Sequence, residues 1–175
     1  DMACVAVTTE AQGVRVRLRN GEEALGDLVI GADGLHSQVR AGLHGAQPPR
    51  YAGYTAWRGV VPFDHTRLQI GETWGHGARF GQIPMQGNRV YWFATHTTPA
   101  GQHSPDGEKA ALLRLFGNWH APIRALIEAT PEAAILRNDI YDRPPLTQWG
   151  RGRVTLLGDA AHPMTPNLGQ GACQA

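Results

Sequence analysis

The chain has 175 residues, 42% of them hydrophobic, and a formal net charge of +1. That apolar share supports a sizeable core, the length fits one domain or parts of two, and the balanced charge, without a basic stripe, argues against a dedicated nucleic-acid binder. No apolar run is long enough to span a membrane, and Cys4 and Cys173 make no CxxC pair, so neither a disulfide framework nor a zinc site is expected.

In chain order, Val14-Arg15-Val16-Arg17-Leu18 alternates apolar and polar before an Asn20-Gly21 turn, which predicts a hairpin with one buried face. Asp27 to Ala32 then reads as a strand ending in Asp33-Gly34. Leu35 to Arg40 follows as a short helix, with Ser37 as N-cap and Gly42 as its stop. Gln47-Pro48-Pro49 marks a boundary. Beyond it the chain becomes aromatic and β-rich: Tyr51 to Val61, Leu68 to Trp74, Ala78 to Ile83 and Arg89 to Thr95 read as strands of an antiparallel sheet. Gly75-His76-Gly77-Ala78-Arg79-Phe80-Gly81 superficially resembles a dinucleotide glycine turn, but its spacing is off by one and no helix pattern follows; it reads as a strand turn. Helices are expected after Pro105-Asp106-Gly107, with Leu112, Leu113 and Phe116 on the apolar face, and again from Pro122. A further strand spans Ile135 to Tyr141, and Arg143-Pro144-Pro145 to Gly152 is a connecting stretch.

The last stretch is the most informative. Val154 to Leu157 is a short apolar strand, Gly158-Asp159 a sharp turn, and Pro163 and Pro166 stiffen the loop that follows. Gly169 and Gly171 open what reads as a helix whose exposed N–H groups attract negative charge. A carboxylate at the end of an interior strand stands where open α/β sheets bind ligands.

The run Gly158-Asp159-Ala160-Ala161-His162-Pro163 to Gly171 closely resembles the second FAD-binding motif of class A flavoprotein monooxygenases, the aromatic hydroxylases and their epoxidase relatives. Asp33-Gly34, Ser37 and Arg40 match the family's other signature. The Tyr51 to Gly59 segment, with Trp149-Gly150-Arg151-Gly152-Arg153 and Pro166 to Gly171, is most similar to the branch of salicylate-type hydroxylases, urate hydroxylases and zeaxanthin epoxidase. The resemblance implies an α/β fold, α+β within this stretch: part of a Rossmann-like FAD-binding domain over residues 1–50 and 141–175, and an antiparallel-sheet substrate domain with covering helices over 51–140. It implies FAD as cofactor, NAD(P)H as co-substrate and dioxygen passing through a flavin hydroperoxide to an aromatic or conjugated small molecule. Asp159, beside Gly158, would hold a ribityl hydroxyl, and Pro163 and Pro166 would lie near the side where oxygen reacts. The N–H groups of Leu168, Gly169, Gln170 and Gly171 would face the flavin, and Asp33, Gly34 and Arg40 would lie near the pyrophosphate. Tyr54, Arg58, Pro166 and Asn167 become substrate-pocket candidates, and the catalytic group is not identified. Some relatives carry an acid at the position of Asn167; the amide here argues against proton abstraction at that site.

Several residues have plainer readings. Trp57 suits sheet packing, and Arg58 is balanced between packing and binding an acidic substrate. Tyr91, Trp92 and Phe93 suit the core more than a site, and His162 suits a loop-bracing hydrogen bond. The family's first motif, a Gly-x-Gly-x-x-Gly turn, does not occur, so the chain reads as an internal piece of a longer protein, inactive by itself. The alternatives are a flavin reductase or halogenase on the same scaffold, or a non-catalytic truncated fragment. A cytoplasmic location is expected from the lack of a visible signal peptide.

Overall fold

The computed structural model describes residues 2–66 and 68–175. The chain opens with β1 (Cys4–Glu10), β2 (Gly13–Leu18) and β3 (Glu23–Gly26), an antiparallel meander in that order. β4 (Val29–Gly31) and α1 (Gln38–His44) follow, and then the long β5 (Arg50–Pro62). β6 (Gly71–Gly75), β7 (Ala78–Met85) and β8 (Arg89–Thr97) are joined by tight turns. α2 (Glu108–Phe116), α3 (Ile123–Ala129) and β9 (Leu136–Asp142) come next, and β10 (Gly150–Arg151) and β11 (Val154–Leu156) end the regular structure. The fold is mixed α/β, with antiparallel sheets and few helices.

Two compact units divide the chain: residues 1–52 with 141–175, and residues 53–140. In the first, β11 pairs with β4 in parallel and with β10 antiparallel. A small core of Val14, Val39, Val154, Leu156, Ala160 and Ala161 packs there. Gly31 has a packing reason to lack a side chain: a Cβ would lie 2.6 Å from Cβ of Val39 on α1.

The second unit is built on a sheet ordered β6-β7-β8-β5-β9. Trp57 and Val61 of β5, Phe80 of β7 and Val90, Trp92 and Ala94 of β8 point to one face. They join Leu112 and Phe116 of α2 and Ile123, Leu126 and Ile127 of α3 in one core. The Phe80 and Trp92 rings stack at 5.5 Å, and the buried Trp92 Nε1 donates to Thr130 Oγ1 at 2.9 Å. Trp57 is core, 5% exposed, with Nε1 donating to Glu108 Oε2.

Several boundaries differ from expectation. β1 has weak alternation and becomes a strand by pairing with β2. The strand expected over 27–32 shortens to Val29–Gly31, and that over 68–74 starts only at Gly71. Ser37 does cap α1, accepting from Arg40 N, but the helix begins at Gln38 and runs past Gly42 to stop at Gly45, which supplies the positive φ of 82°. α2 has no side-chain cap from its own flank; the Glu132 carboxylate, distant in sequence, accepts from Glu108 N and Lys109 N. The helix expected after Gly169 is replaced by two 3-10 turns, Pro166–Leu168 and Ala172–Gln174, because left-handed Gly169 (φ 63°) ends the first.

Candidate functional site

The parallel register of β4 and β11 brings together two motifs more than a hundred residues apart. Val154 pairs with Val29, Thr155 with Ile30 and Leu156 with Gly31, and Leu157 N donates to Gly31 O at 2.9 Å. Ala32-Asp33-Gly34 and Leu157-Gly158-Asp159 therefore leave the carboxyl ends of adjacent parallel strands, where open sheets bind ligands.

The two aspartates behave differently. Asp33 is spent on α1: its carboxylate accepts from Ser37 Oγ, from Gln38 N at 2.7 Å and from Val39 N at 3.2 Å. Gly34 (φ 78°) makes the turn, and Ser37 N donates to its carbonyl. Asp159 is open. Gly158 (φ 58°) starts a 3-10 turn closed by Ala161 N and His162 N donating to Gly158 O, with Ala160 and Ala161 fully buried beneath it. The Asp159 carboxylate is exposed and meets no donor among the described residues.

Arg40 joins the two turns. Its side chain is 4% exposed, and Nη1 donates to Ala160 O at 3.0 Å and Ala161 O at 2.8 Å. Burial, with the charge of Arg143 as a second cause, lowers its pKa from the usual arginine value. Arg143, which sequence reading left in a connecting stretch, donates through Nε and Nη2 to Leu35 O and through Nη1 to Gln47 O. No local signal marks it, since its partners come from two other loops.

The loop after Asp159 is mostly open. Pro163 is buried; Pro166, Asn167, Leu168, Gly169 and Gln170 are exposed and Gly171 is half-buried. Asn167 Nδ2 donates to Thr165 Oγ1 at 3.1 Å. Among the described residues His162 meets the Trp149 ring, 4.9 Å between centroids, and makes no side-chain hydrogen bond of the kind expected. A Cβ on Gly34 or Gly169 would meet nothing within 4 Å. An unspent carboxylate, glycine turns with open space and a buried cation behind them fit a cofactor with hydroxyls and phosphates.

In the second unit, the face away from the helices carries Tyr54, Arg58 and Val60 of β5, Tyr91 and Phe93 of β8, and Arg79 and Gly81 of β7. Arg58 is opposite Phe93, and its Nη2 donates to Asn138 Oδ1. Tyr54 is half-buried opposite Thr97. Arg79, unnoticed in the sequence, lies 5.2 Å from the Trp74 ring and 5.9 Å from the Phe93 ring, with Glu72 at 3.5 Å. Gly81 lets Phe93 lie flat on the sheet, since a Cβ there would be 2.2 Å from Phe93 Cε1. Its members come from three strands, so no single stretch of sequence marks this cluster. Trp92 faces the core, whereas Tyr91 and Phe93 stand half-buried on the opposite face.

Paired turns at the ends of neighbouring parallel strands define a cofactor-binding α/β protein. Comparison with known proteins specifies the cofactor: the chain belongs to the FAD binding domain family, whose model matches residues 2–175. It is 54% identical over 165 residues to aurachin C monooxygenase/isomerase of Stigmatella aurantiaca, covering 93% of this chain and 43% of that protein. It is 46% identical over 170 residues to chloroplastic zeaxanthin epoxidase of Solanum lycopersicum, covering 95% of this chain and 25% of that one. The crystal structure of Klebsiella pneumoniae HpxO complexed with FAD and uric acid matches with a TM-score of 0.93 at 38% identity, covering 99% of this chain and 46% of that one. These relatives place the chain among the class A flavoprotein monooxygenases. It spans less than half the length of each of the three. Among the described residues no helix is long and apolar enough to cross a membrane.

Proposed function

We propose that the intact protein is an FAD-dependent monooxygenase that uses NAD(P)H and dioxygen to oxygenate an aromatic or conjugated small molecule, in the cytoplasm. The observation that carries this reading is the pair of strand-end turns, one with an unspent carboxylate, tied together by Arg40. Bound FAD would supply the redox chemistry, taking electrons from NAD(P)H and delivering one atom of dioxygen.

The chain's residues do the rest. Asp159 accepts a hydrogen bond from a ribityl hydroxyl, and the backbone N–H groups of Leu168, Gln170 and Gly171 hold polar edges of the flavin ring, that of Gly169 being donated to Pro166 O at 3.0 Å. Gly158 and Pro163 fix the shape of that turn, while Asp33, Gly34 and Arg40 shape the turn near the pyrophosphate. Pro166 and Asn167 border the substrate, and the Asn167 amide orients it without abstracting a proton. On the sheet, Tyr54 and the Tyr91 and Phe93 rings offer flat apolar contact, and the Arg58 and Arg79 guanidiniums attract an acidic or phenolic ring. Rings flanking a guanidinium suit a planar ligand that carries a partial negative charge, as uric acid, the ligand of HpxO, does.

Heavy-isotope dioxygen supplied with NAD(P)H and a panel of phenolic acids and purines tests the reading. One labelled oxygen atom in the product is expected. Oxygen drawn from water, or substrate reduction without oxygen uptake, would overturn it in favour of a reductase. Arg58→Ala should raise KM more than it lowers kcat, because it removes mainly binding common to ground and transition states.

A further inference from the structure

We propose that Arg143 is a positioning residue for the cofactor turn Asp33–His36, holding it from outside both cofactor motifs. The proposal rests on the FAD reading above. Arg143 Nε and Nη2 both grip Leu35 O, at 3.1 and 2.9 Å, while Nη1 reaches Gln47 O. One planar guanidinium thus bridges the two sides of a cleft of about 340 Å³ that lies between His36-Ser37-Gln38 and the Ala46–Pro49 loop. Only a forked side chain makes these bonds together; an ammonium is a point charge and cannot.

The arrangement has a cost. Arg143 is near enough to buried Arg40 for the two charges to oppose each other, and among the described residues neither has a carboxylate within ion-pair distance. Stability by itself would favour a neutral or acidic neighbour for Arg40. A local conflict of this kind is expected where function requires it. What the pair achieves is geometric: Arg40 fixes the Ala160-Ala161 backbone, Arg143 fixes the Leu35 backbone, and the turns of Asp159 and Gly34 are held from behind. Among the described residues no other hydrogen bond reaches the Leu35 carbonyl; Gly34 O is held by Ser37 N, but Gly34 (φ 78°) gives the peptide that carries Leu35 more freedom than any other residue would.

The test uses the intact protein with FAD removed and returned. Arg143→Ala and Arg143→Lys are both expected to weaken FAD about tenfold, or about 1.4 kcal/mol. Amide hydrogen exchange should accelerate at Gly34 to His36 and remain unchanged in β7 and β8. KM for the aromatic substrate, at saturating FAD, should also be unchanged. Millimolar methylguanidinium should restore FAD affinity to Arg143→Ala, and methylammonium should not. Rescue by lysine or methylammonium would assign the effect to charge and overturn the positioning role. So would wild-type FAD affinity in Arg143→Ala, or faster exchange spread over the whole chain. A wild-type protein that takes up no FAD would sink the cofactor reading instead, and the exchange rates at Gly34 to His36 would still decide whether Arg143 holds the turn.

Discussion

Asp33 and Asp159 look alike in sequence, each an aspartate beside a glycine at the end of a short strand, yet the first accepts from Ser37, Gln38 and Val39 and the second meets no donor among the described residues. The difference predicts different outcomes for the same substitution. Asp159→Ala should leave folding intact and loosen FAD, since a charge-assisted hydrogen bond is worth about 1.5–3 kcal/mol. Flavin fluorescence on titration measures it, and unchanged affinity would remove Asp159 from the site. Asp33→Ala should act first on stability, because it strips the carboxylate that receives the first N–H groups of α1, a loss of about 0.5–2 kcal/mol. Arg79 illustrates a second point at this scale. Its neighbours Trp74 and Glu72 lie across a hairpin turn and Phe93 on the next strand, so no linear pattern names the cluster.

At the scale of elements, the sheet of the second unit depends on side chains absent as much as present. Gly81 and Gly59 each leave room for a ring: a Cβ on Gly59 would lie 2.9 Å from Trp92 Cζ2, and one on Gly81 would overlap Phe93. Gly81→Ala must push Phe93 off the sheet and disturb the ring contacts around Arg79. We expect a stability loss of about 1–3 kcal/mol, the usual range for overpacking. A raised KM for the aromatic substrate should accompany it, with FAD affinity unchanged. Equal losses of substrate and FAD binding would instead mean general damage. α2 shows how an element borrows its cap: Glu132, just beyond α3, closes the start of α2, so the start of one helix is tied to the end of the other by a tertiary contact.

For the whole molecule, acid stability follows from carboxylates held in their charged form. Burial by itself would raise the Asp139 pKa, but hydrogen bonds from Thr55 Oγ1 and Gly101 N and the Arg137 guanidinium outweigh it and hold it below the usual 3.8. Asp142 is lowered chiefly by its hydrogen bonds from Arg50. A depressed carboxylate adds stability that is present above its unfolded pKa and lost as pH falls through the folded value. The thermal midpoint should therefore drop as pH is taken below about 4. Asp139→Asn should flatten that drop, and because the Arg137–Asp139 side chains are only 7% and 11% exposed, added salt should change it little. A drop of equal size in Asp139→Asn would remove this pair as its cause.

Local chemistry is what the sequence carries, and that much was legible. Alternation marked β2 and β-rich runs between turn residues marked β7 and β8; Asn20-Gly21 and Gly77 marked turns; Ser37 marked the start of α1; the Gly-Asp and Asp-Gly turns marked the cofactor family. Each depends on residues within a few positions of one another, so backbone preference and side-chain pattern suffice. The end of α1 at Gly45, the strand β1, the Glu132 cap, the spending of Asp33 and not Asp159, and the roles of Arg79 and Arg143 were not legible. All of these are settled by groups distant in the chain. A hydrogen-bond donor is satisfied by whatever acceptor the fold brings near, and Arg143 grips residues 108 and 96 positions away. The sequence by itself determined the family and the order of elements; the tertiary structure decided which polar groups are spent on the fold and which are left for a ligand, because only packing sets the partners of a long side chain.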